Sequence, residues 1–226
     1  MAGRRTYGSY NDGCAAAHAL DIVGERWTMI VVRELLLGAK RFSDIQRDVL
    51  GIGPAVLTQR LQELEAHGVL QRRRLTGPGR PEVYELTDWG RRLEAVNTAL
   101  SMWAVASPGL PVEADMSPDT VVLAMRAHAR PVPGYRRARR VSLTLTDSRR
   151  DEAEPVGYLA VMSEAGSSVE RVAEAGVTDA TVWATTRDWK ACIIGGVPLG
   201  KVAGIRIEGV REAVARLVGA FALDPA

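Results

Sequence analysis

Apolar residues recur at helical spacing along the first hundred positions. In "PAVLTQRLQELEA", Leu57, Leu61 and Leu64 follow i, i+4, i+7 spacing, which at about 100° per residue gathers them into one stripe. Pro54 stands where a first-turn proline belongs, and Gly68 follows the last periodic residue as a C-terminal cap does. Opposite the stripe lie Ala55, Gln59 and Gln62, with Thr58 at its edge, so the outer face is small, polar and nearly uncharged. Upstream, "CAAAHALDIVG" predicts a helix ending at Gly24 and "RWTMIVVRELLLG" one ending at Gly38, while "FSDIQRDV" reads as a short helix with Ser43 as its N-cap. Downstream, "VLQRRRL" and "EVYELT" read as two short strands joined by the turn "TGPGRP". A long helix then starts at Asp88 and carries Leu93, Val96, Leu100 and Trp103 at helical spacing.

The pattern changes after "SPGLPVEADMSPD", where Pro108, Pro111 and Pro118 interrupt any periodicity. This predicts a domain over residues 1–106, a linker over 107–116 and a second domain over 117–226. The second domain opens with a helix capped by Ser117, with Pro118 in its first turn. "RVSLTLT" alternates Val141, Leu143 and Leu145 with Ser142, Thr144 and Thr146, as a strand with one buried face does. "VGYLAVM", "DATVWATT" and "GIRIEG" are further strands, and Val210, Val214, Leu217, Val218 and Phe221 mark a closing helix. The expected fold is thus a mostly α N-terminal half and an α+β C-terminal half, with a mainly antiparallel sheet covered by helices.

Composition narrows the function classes. A hydrophobic share of 46% supports a real core, and the apolar run around "MIVVRELLL" is broken by Arg33 and Glu34, well short of the roughly 18 residues a membrane span needs. No apolar stretch follows the basic start "MAGRRTYGSYNDGC", so no membrane contact and a cytoplasmic location are expected. Cys14 and Cys192 make no disulfide framework, and His18, His67 and His128 are too scattered for a metal site, so no cofactor or metal is expected. A net charge of +2 does not by itself announce a nucleic-acid partner, so the placement of the arginines must carry that inference.

That placement is informative. A short helix, a "GIG" turn, a helix with a polar outer face and a basic hairpin make a winged helix-turn-helix. The second helix would lie in the major groove of double-stranded DNA. There Pro54, Ala55 and Thr58 would allow close approach, with Arg60 also on the recognition segment, and Gln59 and Gln62 would bond base edges, adenine being the favoured partner of glutamine. Arg72, Arg74 and Arg80 would neutralise phosphates from the wing, joined by Ser43, while strand alternation turns Arg73 the other way.

From Cys14 to about Ala104 the chain resembles the HxlR-type winged-helix transcription regulators. The resemblance runs through "ALDIVGERWTMIVVRELLLGAKRFSDIQRDVLGIGPAVLTQRLQELEAHGVLQRRRL" and "YELTDWGRRL". It implies a homodimer built largely from the first and last helices of this half, a two-fold operator, and Pro54 to Gln62 as the recognition segment. Many members carry a cysteine just before the first helix, and in some it senses oxidants or electrophiles. Cys14 is the corresponding redox candidate, its thiolate favoured at a helix N-terminus, although "AAAH" follows it in place of the family's more usual proline-containing start.

A second resemblance, carried by "TDATVWATTRDWKACIIGG" and "GIRIEGVREAVARLVGAF", is to the sterol carrier protein-2-like domain. It implies binding of an apolar small-molecule effector between sheet and helices, with Trp183 and Trp189 as candidate lining residues beside the plainer reading that they are core. Catalytic motifs dissolve on inspection. "GGVPLGK" spells a phosphate-loop pattern from Gly195 to Lys201, but Val202 replaces the required Ser or Thr, and there is no G-x-S-x-G or H-E-x-x-H. The first expectation is a homodimeric DNA-binding regulator with an apolar effector, not an enzyme. The alternatives are a thiol switch centred on Cys14, and a lipid carrier or enzyme that uses the winged helix as an interaction module.

Overall fold

The computed structural model describes residues 9–76 and 79–223, and the chain divides into two compact units, Met1–Asn97 and Thr98–Ala226. The division between the two units falls at 97/98.

The first unit runs α1 (Ala15–Val23), α2 (Thr28–Leu35), α3 (Phe42–Asp48), α4 (Pro54–Ala66), β1 (Leu70–Arg74), β2 (Glu82–Leu86) and α5 (Asp88–Arg91), and ends within α6 (Leu93–Val105). The leucine stripe of α4 does what its spacing predicts, since Leu57, Leu61 and Leu64 are fully buried against Val31, Val32, Leu35 and Ile45. Each such side chain contributes about 1.5–3 kcal/mol on leaving water. Gly68 ends α4 in a left-handed conformation with φ +71°, where its N–H bonds to the Glu65 carbonyl and the Val69 N–H bonds to that of Leu64. These paired bonds satisfy the last carbonyls and turn the chain directly into β1.

Two expectations need correcting. Ser43 is not the N-cap of α3: the helix starts at Phe42, which packs on the core, and the extended residue before it is Arg41. The long final helix is split at Arg92 into α5 and α6. The first turn is fixed independently: Thr87 caps α5 by accepting the Gly90 N–H and donates to the Gly68 carbonyl at 2.8 Å, while Gly90 sits so close to Val69 that a Cβ there would lie 1.9 Å from its carbonyl oxygen. The turn of "TGPGRP" falls partly on residues 77 and 78, which lie outside the described residues.

The second unit contains α7 (Pro118–Ala127), β3 (Arg139–Thr146), β4 (Val156–Ser163), β5 (Gly166–Arg171), β6 (Ala180–Thr185), α8 (Thr186–Ile193), β7 (Arg206–Gly209) and α9 (Arg211–Phe221). The sheet order is β5-β4-β3-β6-β7, with β3 and β6 parallel and the other neighbours antiparallel, so the sheet is mixed. Val141, Leu143 and Leu145 are fully buried as their alternation predicts, together with Tyr158, Ala160 and Met162 from β4 and Val182 from β6. Helices α7, α8 and α9 cover that face with Val121, Met125, Trp189, Leu217 and Phe221, whereas Val210 is the exposed residue before α9 rather than part of its apolar face. Strand β5 was not expected, because "GSSVER" buries only Val169. Within this unit the segment before α7 is fastened to α8: Asp115 pairs with Arg187 at 2.5 Å, and the Lys190 ammonium donates to the carbonyls of Val112 and Ala114.

Candidate nucleic-acid interface

The side of α4 away from the core presents Pro54, Ala55, Val56, Thr58, Gln59 and Gln62 to solvent. Thr58 donates its hydroxyl proton to the Pro54 carbonyl at 2.9 Å, which leaves its oxygen as an acceptor only. Gln59 donates from Nε2 to Glu63 Oε1 at 3.0 Å, and the Gln62 side chain makes no hydrogen bond among the described residues. Val56 was missed from the sequence. It is 38% exposed and falls off the leucine stripe, the signal that could have found it, and an apolar side chain here suits a thymine methyl.

Arg60 does not belong to this face. It is only 6% exposed, because its position next to Leu57, Leu61 and Leu64 turns it toward the body of the unit, where it pairs with Glu63 at 3.0 Å and Glu25 at 3.6 Å. Ser43 is exposed in the first turn of α3, and the neighbouring Arg41, also exposed and not anticipated as a contact, carries no ion pair among the described residues.

The wing arginines divide into two groups. Arg72 donates from Nε to Glu65 on α4 at 2.9 Å, places a second nitrogen 2.8 Å from the same oxygen, and has Glu82 at 3.8 Å. The hydrogen bond and charge of Glu65 push its already high pKa further up. Arg73 points to the other face, as alternation predicts, and pairs with Glu85 at 3.0 Å. Arg74 and Arg80 are exposed and make no ion pair among the described residues, and Arg80 adopts a left-handed backbone with φ +39° at the end of the turn.

Beneath the wing, Lys40 exchanges two backbone hydrogen bonds with Tyr84 of β2, at 3.1 and 2.8 Å. Its buried ammonium lies 2.9 Å from both Glu34 and Asp48, which also pair with Arg33 and Arg47. Burial alone would raise the Asp48 pKa, but hydrogen bonds from Arg47 and Lys40 and their charges outweigh it and hold the carboxyl below its ordinary range. This network fixes α2, α3 and the wing to one another inside the first unit.

Cys14 is exposed immediately before α1, where the nearby backbone N–H groups of Ala17 and Ala16 at the helix start hold its thiol pKa below the ordinary value. Cys192 is buried, which pushes its thiol pKa up. Neither α1 nor α6 buries a single residue, although Leu20, Val96, Leu100, Met102 and Trp103, the last 80% exposed, are large and apolar. In the second unit the two candidate pocket tryptophans part company. Trp189 is fully buried with its indole N–H 3.4 Å from the Met125 sulfur, while Trp183 sits on the opposite, open face of the sheet under the Arg206 guanidinium, 3.7 Å from the ring centroid. Strand alternation forces that separation, so they do not line one cavity.

Residues 22–108 match the HxlR-like helix-turn-helix family. The transcriptional regulator YvaP of Bacillus subtilis is 40% identical over 87 residues, 38% of this chain and 80% of that protein. This chain belongs to the HxlR-like helix-turn-helix family. A second relative, the transcriptional regulator YodB of the same organism, is 33% identical over 86 residues, covering 38% of this chain and 77% of YodB. Among solved structures, reduced YodB shares 31% identity over 42% of this chain and 97% of its own, with a TM-score of 0.39. The oxidized redox regulator HypR shares 30% identity over 43% of this chain and all of its own, with a TM-score of 0.40. The family match lies on α2 to α6 and the wing and stops before α7.

Proposed function

We propose that this family member is a homodimeric transcriptional regulator that binds a two-fold DNA operator in a sequence-specific manner. The observation that carries the reading is the juxtaposition of an exposed, polar, uncharged face on α4 with the guanidinium groups of Arg74 and Arg80 on the wing, which carry no ion pair among the described residues. In this reading α4 enters the major groove, Gln59 and Gln62 read base edges, and Arg74, Arg80, Arg41 and Ser43 meet phosphates. The uncovered apolar side chains of α1 and α6 support pairing with a second copy, since patches of this kind on a monomer mark interaction surfaces.

The second unit is read as the effector domain, on the strength of its β6-α8-β7-α9 order, which matches the sterol carrier protein-2-like resemblance. An apolar effector would have to enter between sheet and helices, where Trp189, Tyr158 and Met125 now fill the space. A thiol switch at Cys14 is the second reading, favoured by its exposure and lowered pKa. Among the described residues no helix is long and apolar enough to cross a membrane.

Purified protein mixed with its own promoter fragment tests the reading, with and without extracted lipids or a mild oxidant. A shifted band that lipids alter supports the effector domain, and one that only oxidant alters supports Cys14. No shift under any condition removes the DNA-binding reading. If lipid does act, linkage requires operator and lipid to change each other's affinity by the same factor.

A further inference from the structure

On α4, the buried Arg60 and the half-exposed Glu63 form an ion pair that reaches the proposed groove face through Gln59. Arg60 places one guanidinium nitrogen 3.0 Å from Glu63 Oε2 and another 3.3 Å from Oε1. Oε1 also accepts the Gln59 amide at 3.0 Å, one helical turn earlier. A carboxylate accepts and never donates, so the Gln59 amide nitrogen must face Glu63 and its oxygen must face away. One of the two amide N–H groups is thereby committed. What remains for a base edge is one acceptor and one donor.

That remainder fits adenine and not guanine. In the major groove adenine shows a donor at N6 and an acceptor at N7, which the amide oxygen and the second N–H match. Guanine shows two acceptors, O6 and N7, and needs both N–H groups. An unrestrained glutamine could flip or swing to supply them, whereas one held by Glu63 cannot without breaking its bond. We propose that the Arg60–Glu63 pair is a positioning device that makes Gln59 select adenine and reject guanine at one operator base pair. This rests on the DNA-binding reading above and adds what that reading does not contain, the residues that enforce the choice of base at Gln59.

Selection of full-length protein on a randomised duplex library supplies the operator and the test. The base pair whose preference disappears in Gln59→Ala is the one Gln59 reads, and the wild type should require adenine there. Glu63→Ala should cut the adenine-over-guanine preference at that pair by about fivefold or more, the lower end of what a good bidentate contact discriminates, and leave the other positions unchanged, while lowering the melting temperature because the buried Arg60 loses its nearest carboxylate. Glu63→Gln, whose amide oxygen Arg60 would hold in the same place, should retain most of the preference. Where the alanine variant melts below the assay temperature, the double variant Arg60→Met/Glu63→Ala, which removes the buried charge together with its partner, takes its place. Unaltered discrimination in Glu63→Ala, a wild-type preference for guanine, or a preference that blurs equally at every position overturns the inference while leaving DNA binding standing. A library from which the wild type selects nothing overturns both.

Discussion

Arginine count alone would predict that Arg72, Arg74 and Arg80 contribute equally to DNA affinity, and the ion pairs of the wing predict otherwise. Arg74 and Arg80 have no carboxylate partner among the described residues, so each is free to displace a counterion from DNA. Replacing either by alanine should lower the slope of log affinity against log salt by about 0.9 per phosphate lost. Between 50 and 200 mM salt, that change in slope corresponds to about a 3.5-fold difference in how far affinity falls. Arg72 is already neutralised by Glu65 at 2.8 Å, so the pair approaches DNA with no net charge. Arg72→Ala should therefore move the slope by less than about half of the Arg74→Ala change, and Glu65→Gln should steepen it by up to about 0.9 as Arg72 becomes available. Fluorescence anisotropy of a labelled operator over five salt concentrations gives each slope directly. Equal slope losses for Arg72→Ala and Arg74→Ala would refute the reasoning, because they would mean that Arg72 abandons Glu65 for phosphate.

Leu20→Glu should shift the protein from dimer toward monomer in light scattering, since α1 buries nothing within the chain; a fully monomeric wild type would refute the pairing. Asp48 has a folded pKa below its unfolded value, so its stabilisation is present above the unfolded carboxylate range and is lost as pH falls through the folded value. Asp48→Asn should cost about 3–5 kcal/mol in urea unfolding at pH 7, as breaking a buried pair does, and the gap should narrow as pH falls below the unfolded carboxylate range and close only below the lowered folded value. Iodoacetamide should alkylate Cys14 readily at a pH where an ordinary thiol is still protonated, and should spare Cys192 until the protein unfolds; equal rates at the two sites would contradict their opposite shifts.

Elements driven by local periodicity were legible in the sequence: the α4 stripe, the alternating β3 and the basic hairpin all appear where the pattern places them. Features decided by contacts from afar were not. Arg60 looks like any other polar position on the recognition helix until Glu25 and Glu63 are seen around it, and Lys40 gives no sign that it is buried between two carboxylates. Strand β5 carries almost no apolar signal because it is an edge strand paired only with β4. The tryptophans mislead for a related reason: both are large and lie six residues apart, but one sits on a strand and the other on the following helix, so their faces are set by different periods.

The pairing of β3 with β6 governs the order in which the second unit can assemble. Its central strand, Arg139–Thr146, gains its second neighbour only from Ala180–Thr185, and the sheet is completed by β7 and sealed by α9 at the far end of the described chain. The β3–β6 ladder joins residues some forty positions apart and must close that long connection before its first bond forms, which slows folding and leaves the edge of β3 away from β4 exposed in the meantime. During synthesis the helix-turn-helix unit, whose core lies between Val31 and Leu86, can be complete while that edge is still open. Truncations anywhere after β3 and before the end of α9 should therefore yield aggregates rather than a smaller sheet, and a ribosome pause before β6 is the point at which a chaperone has most to do.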